Sequence, residues 1–99
     1  MIAPRLVLTA AARKDIAEAQ DWYRREGPTL AASFREELDR QFARVLRRPT
    51  QFPLARADVR RAKLRRFPYS LFFRVMSDGI YVIACFHSSR DPDIWQHRV

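Results

Sequence analysis

Cysteine is almost absent: Cys85 is the sole one in the 99-residue chain, so no intramolecular disulfide can form and nothing marks an oxidising compartment. The two histidines, His87 and His97, lack the Cys or His companions a zinc site needs, and neither a metal nor another cofactor is expected. Long apolar runs are also missing. The opening Met1-Ile2-Ala3-Pro4-Arg5 is too short and too charged for a secretory signal or a membrane span, so a cytoplasmic location is expected. No repeat, low-complexity stretch or domain-separating linker interrupts residues 1–99, which read as one domain.

Acidic residues are scarce in one place. Residues 44–74 hold ten Lys/Arg against Asp58 alone, whereas residues 1–43 balance seven against seven and residues 75–99 hold two bases and three acids. The entire net charge of +8 therefore arises in the middle third. Within it, Arg60-Arg61-Ala62-Lys63-Leu64-Arg65-Arg66 places five cations in seven positions. Two readings fit this run: an edge strand kept soluble by its charges, or an electrostatic footprint for nucleic acid, the ribosome or an acidic protein segment.

A hydrophobic content of 47%, with 12% aromatics, is enough for a folded core. A chain this short buries only about two-thirds of the surface that its unfolded form exposes, so a bound partner should add to its stability.

Ile2 to Leu8 reads as a first strand, and Thr9 supplies a hydroxyl where a helix N-cap is wanted. From Ala10 to about Arg25 the residues Ala12, Ile16, Ala19 and Tyr23 recur on one helical face. Gly27-Pro28 ends that helix, with glycine suited to a left-handed cap. A second helix over about Leu30 to Arg47 carries the stripe Leu30, Phe34, Leu38, Phe42 and Val45. Pro49 and Pro53 then bracket a loop.

Three strands complete the chain. Val59 to Arg66 alternates Ala62 and Leu64 with Arg61, Lys63 and Arg65, while Tyr69 to Met76 and Ile80 to His87 are strongly β-prone. Asp78-Gly79 is the expected two-residue hairpin turn, which pairs Arg74 with Ile83, Phe72 with Cys85 and Ser70 with His87. That register puts Tyr69, Leu71, Phe73 and Val75 with Ile80, Val82, Ala84 and Phe86 on an apolar face under the helices. Ser70, Phe72, Arg74 and Met76 then lie with Tyr81, Ile83, Cys85 and His87 on an open face. The predicted fold class is α+β, ordered β-α-α-β-β-β, with an antiparallel sheet covered on one face by a helical hairpin.

Four features occur together in this order: Ala11, Asp15, Ile16 and Tyr23; Val59-Arg60-Arg61 followed by Leu64; Phe67-Pro68-Tyr69-Ser70-Leu71-Phe72-Phe73-Arg74-Val75; and His87-Ser88-Ser89-Arg90-Asp91-Pro92-Asp93-Ile94-Trp95. In them the chain resembles the ParE branch of the ParE/RelE toxin superfamily over nearly its whole length. The resemblance implies a plasmid-maintenance or chromosomal toxin, silenced by a cognate antitoxin whose acidic C-terminal arm wraps it. It also implies one of two targets, because ParE-like proteins are associated with inhibition of DNA gyrase and RelE-like relatives cut messenger RNA on the ribosome.

Metal-free cleavage of RNA needs a base, cations for the phosphorane charge and an acid for the leaving oxygen. Arg74, His87 and Arg90 are the candidates for it, with Arg74 and His87 sharing the open face in the predicted register. No tyrosine follows Tyr81, so the C-terminal tyrosine implied by the RelE-like nucleases has no counterpart, and no acid is predicted on that face. A binding toxin directed at gyrase is therefore favoured over a ribosome-dependent endonuclease, and no catalytic residue is assigned. The residues expected to carry target binding or toxicity are Arg61, Lys63, Arg65, Arg66, Arg74, His87, Arg90 and Trp95. For His87 a strand-end role bonded to Asp91 or a backbone carbonyl competes with this, and for Trp95, packing over the sheet edge. A module with a DNA-recognition helix is disfavoured, since both helices are charge-balanced.

Overall fold

Helix α1 (Ala10–Glu26) begins where its first backbone donors find a hydroxyl: Thr9 is extended, and its Oγ1 accepts the Ala12 N–H at 3.1 Å. Ala12, Ile16, Ala19 and Tyr23 are all buried, as their spacing requires. Gly27 ends the helix in an extended conformation rather than the expected left-handed one, and Pro28 follows as the first residue of helix α2 (Pro28–Arg47). No donor is lost there, because a helix's first N–H groups have no intrahelical acceptor.

The buried face of α2 is Ala31, Phe34, Leu38 and Val45, with Glu37 and Gln41 buried among them. Leu30, expected in that stripe, is 40% exposed, and Phe42 is only half-buried. The computed structural model describes residues 5–90 and residue 98. Among them no helix is long and apolar enough to cross a membrane.

Five strands form one sheet: β1 (Leu6–Leu8), β2 (Leu54–Arg56), β3 (Val59–Lys63), β4 (Tyr69–Met76) and β5 (Gly79–His87), in the spatial order β1-β5-β4-β3-β2. The sheet is mixed rather than purely antiparallel, because β1 pairs in parallel with β5. The two helices carry the chain from β1 at one edge of the sheet to β2 at the other, and the antiparallel strands β2 to β5 then return to β1, which leaves β5 parallel beside it. Strand β2, in the stretch between Pro53 and Val59 where no element is expected, adds a short antiparallel edge to β3.

The hairpin turn is Ser77-Asp78, since Met76 pairs with Gly79, so the expected Asp78-Gly79 turn moves by one residue; Arg74 pairs with Tyr81 instead of Ile83, and beyond the bulge Phe72 pairs with Ala84 instead of Cys85 and Ser70 with Phe86 instead of His87. Gly79 is not needed for a positive φ, and no described glycine has one. It is needed for space: a Cβ there would lie 2.8 Å from the Arg5 carbonyl oxygen, which accepts the Ile80 N–H as β1 joins the sheet.

A bulge changes the faces. Phe73 pairs with Val82 but Phe72 with Ala84, leaving Ile83 as an extra residue on β5. Ile80 and Val82 face the helices as predicted, but beyond the bulge it is Cys85 that joins the main core, whereas Ala84 and Phe86 turn to the far face. The main core gathers Phe34, Leu38, Val45, Leu64, Leu71, Phe73 and Val82 with the α1 stripe. Each such large side chain contributes about 1.5–3 kcal/mol when fully buried. The far face, expected to be open and mixed, carries a second cluster of Val59, Phe72, Ile83, Ala84 and Phe86, to which no helix residue contributes.

Gly79→Ala is expected to lower stability by about 1–3 kcal/mol, the usual cost of forcing a methyl group against fixed backbone. Gly27→Ala, where a Cβ meets nothing within 4 Å, is expected to cost less than the error of the measurement. Equal urea-unfolding midpoints for Gly79→Ala and the parent protein would refute this account of the β1–β5 junction.

Candidate functional site

The site is built at the end of β4 and β5 where the bulge re-aims the backbone. Thr9 N–H closes the β1 ladder on the Val82 carbonyl, and among the described residues no strand lies beside the outer edge of β5 beyond that point. Asp15, one helical step from the apolar stripe of α1, fills the gap. Its Oδ2 accepts the Cys85 N–H at 3.0 Å and the Arg98 guanidinium at 2.6 Å, and its Oδ1 accepts Arg98 again at 3.2 Å. Arg98 also donates to the Ile83 carbonyl at 3.0 Å. A buried carboxylate is tolerated when a bidentate guanidinium and a backbone donor satisfy it, and here those partners also satisfy the displaced strand edge.

Above this anchor lies a cleft of about 420 Å³ on the far face of the sheet, into which Arg61, Ser70, Phe72, Phe86, His87 and Arg90 project. Arg61 Nε donates to Ser70 Oγ at 3.0 Å, which orients the guanidinium across β3 and β4. His87, the last residue of β5, accepts the Ser89 N–H on Nδ1 at 3.0 Å, so in the neutral ring the proton sits on Nε2. Its ring packs edge-on against Tyr69, 5.1 Å between centroids. Of the partners expected for His87, Asp91 lies outside the described residues, and the described partner of its Nδ1 is Ser89. Arg90 lies 4.5 Å over the Phe86 ring and Arg98 4.8 Å, so cation–π contacts tie both cations to the far-face cluster.

The predicted residues therefore separate. Arg61, His87 and Arg90 share the cleft. Arg74 does not: it pairs with Asp58 at 3.0 Å, near the turn between β2 and β3, and sits opposite Tyr81, six residues from His87 along β5 or about 20 Å at strand rise. In the predicted register Arg74 and His87 already stand four residues apart along β5; the observed register makes that six, and beyond the bulge His87 pairs with Tyr69 rather than Ser70, at the rim of the sheet. Lys63, Arg65 and Arg66 are exposed on the connection from β3 to β4. Trp95, Asp91 and His97 lie outside the described residues.

Three polar residues that sequence reasoning assigned no role to hold this arrangement. Glu37 accepts the Arg66 N–H with both carboxylate oxygens, at 3.0 and 3.2 Å, and Gln41 donates to the Lys63 carbonyl at 3.0 Å. Asp15 is the third. The signal for Glu37 and Gln41 was a pair of polar side chains next to the apolar positions of α2, where a purely structural helix would repeat leucine or alanine.

A second concavity of about 620 Å³ opens beside the first, between α1, the start of α2 and the end of the sheet; His87 and Arg90 line both. Trp22, 48% exposed, and Leu30 stand on it with Tyr69 and Cys85. Burial first, and then the Asp15 charge, pushes the Cys85 thiol up to about 12, so it stays protonated and unreactive near neutrality. Burial likewise raises the phenols of Tyr23 and Tyr69. No group of three or more His, Cys, Asp or Glu able to hold a metal exists among the described residues.

A helical hairpin on a sheet whose far side ends in an arginine-lined cleft defines a small α+β toxin of the RelE/ParE fold. Residues 6–92 match the family model described as the ParE toxin of the type II toxin-antitoxin system parDE, and the chain belongs to that family. Similar solved structures include the chromosomal ParDE system from P. aeruginosa, 25% identical with a TM-score of 0.75, covering 86% of this chain and 96% of that one. Another is an E. coli RelE double mutant in complex with an antitoxin RelBc peptide, 22% identical with a TM-score of 0.59, covering 99% of this chain and 96% of that one. No curated protein matches the sequence significantly.

Asp15→Ala strands the Arg98 guanidinium and the Cys85 N–H, and is expected to cost about 3–5 kcal/mol in urea unfolding; a loss below about 1 kcal/mol, no more than an ordinary hydrogen bond, would rule out the anchoring role. The raised thiol makes a second prediction. Above pH 9 an unfolded Cys85 ionises whereas the folded one holds its proton to about 12, so its contribution to stability is complete below pH 9 and is lost through that window. Cys85→Ala should accordingly lose less stability between pH 8 and pH 10 than the parent protein, and an identical decline in both would contradict the assignment.

Proposed function

We propose that this ParE-family chain arrests growth by binding DNA gyrase, with the cleft residues Arg61, His87 and Arg90 as its contact surface and a cognate antitoxin as its neutraliser. The observation that supports binding over catalysis is the make-up of the cleft. Its described lining offers two guanidiniums and one imidazole but no carboxylate and no phenol. Cleavage through a ribose 2′-hydroxyl requires one group to take a proton and another to give one. His87 is the one residue there suited to either task, and its Nδ1 already accepts from Ser89.

A second reading, ribosome-dependent cleavage of messenger RNA, draws on the same cleft: His87 beside two arginines suits phosphate, and the E. coli RelE structure shares the fold. The antitoxin belongs to either reading. RelE is in complex with an antitoxin peptide, and here the exposed Trp22 and Leu30 over the larger groove offer an acidic arm the apolar anchors that a tight interface needs.

Purified protein is expected to block gyrase supercoiling or to trap cleaved DNA, and the triple variant Arg61→Ala/His87→Ala/Arg90→Ala to weaken this at least tenfold. No effect on gyrase at micromolar excess, together with new 5′ ends in ribosome-bound message by primer extension, would transfer the assignment to the second reading.

A further inference from the structure

The tertiary structure places a second row of arginines beside the basic run. On α2, Arg40, Arg44 and Arg47 recur at steps of four and three and so form one row, about 10 Å long at helical rise. Arg44 donates to Gln41 Oε1 at 2.9 Å, and Gln41 in turn donates to the Lys63 carbonyl, while Glu37 holds the Arg66 N–H. These bonds set the α2 row beside the backbone of residues 63–66, where the Lys63, Arg65 and Arg66 side chains are exposed, Lys63 and Arg65 on the side away from Ala62 and Leu64. Five arginines, Arg5, Arg24, Arg35, Arg74 and Arg98, form ion pairs with described carboxylates; none of the six cations of this patch does. Glu37 is buried against the connection and Glu36 ends the row toward the helix start.

We propose that this patch, separate from the cleft, is a docking surface for the phosphate backbone of duplex DNA. Over the length of the α2 row a duplex presents about three phosphates on each strand, so the six cations around this end of the sheet match it in number. An acidic peptide fits less well. Ordering a flexible chain must be offset by burying apolar anchors, and among the described residues the exposed large apolar side chains, Trp22, Leu30, Leu54, Val75 and Met76, are all outside the patch. Single-stranded nucleic acid is disfavoured on similar grounds, because the patch has no exposed aromatic ring for bases to stack on. Contact through phosphates needs no helix in a groove, so the balanced charge of the helices as wholes does not oppose it.

The test is fluorescence anisotropy of the full chain with a 20-base-pair duplex of mixed sequence between 50 and 200 mM salt, without gyrase, so that its outcome is independent of the target enzyme. Log K is expected to fall against log salt with a slope of about −4 to −5, from five or six phosphates at about 0.9 each. Arg40→Gln/Arg47→Gln/Arg66→Gln, which removes side chains engaged in no described bond, should bring the slope to about −2 and weaken binding at 50 mM salt at least tenfold. Arg5→Gln/Lys14→Gln/Arg25→Gln removes the same charge elsewhere and should leave the slope near that of the parent. The proposal is overturned by absence of binding at 50 mM salt, by equal losses in the two triple variants, or by equally tight, equally patch-dependent binding of single-stranded RNA or poly-glutamate.

Discussion

The structure depends on one buried carboxylate. Asp15 joins α1 to β5 and to Arg98, residues separated by 70 and 83 positions in the chain, through three hydrogen bonds from two partners. The bulge at Ile83 and this carboxylate require each other: the extra residue directs the Cys85 N–H away from β4, and without an acceptor there the bulge would expose a buried donor. Everything beyond the bulge follows from that inversion. Cys85 enters the core, Phe86 turns to the far face as a platform for Arg90 and Arg98, and His87 comes to the rim between cleft and groove.

Glu37 and Gln41 do for the β3–β4 connection what Asp15 does for β5. The segment from Leu64 to Phe67 lies between the strands, so its backbone groups need other partners, and α2 helps to provide them where β3 ends, with Gln41 on the Lys63 carbonyl and Glu37 on the Arg66 N–H. The result is a basic segment held rigid by buried polar side chains while its own charges stay in water. Rigid presentation matters for a polyanion partner, because side chains already in place lose less entropy on binding. The cations thereby divide into those that hold the fold, such as Arg98 on Asp15 and Arg74 on Asp58, and those left over for contact.

Much of the architecture was legible from residue patterns. The Thr9 cap, the α1 stripe, the break at Gly27-Pro28, the alternation of Ala62 and Leu64 with their charged neighbours, and the β4–β5 hairpin all rest on local rules of propensity and period, and all are present. The site was legible in part: Arg61, His87 and Arg90 converge, whereas Arg74 leaves the set. The failure came from two assumptions, that Asp78-Gly79 makes the turn and that alternation continues unbroken along β5. A bulge has no signature in Val82-Ile83-Ala84-Cys85, where every residue is apolar and suits either face.

The amino-acid sequence by itself determined the helices, the strands, the location of the excess charge and the resemblance to a toxin family, because each of these depends on neighbours within a few residues or on composition. Only the tertiary structure decided which way β5 faces beyond residue 82, why Gly79 must be glycine, and which arginines lie together. Those outcomes turn on contacts between residues far apart in the chain. Asp15 with Arg98, Glu37 with Arg66 and Gln41 with Lys63 are pairs of ordinary polar residues whose meaning appears when folding removes water from around them.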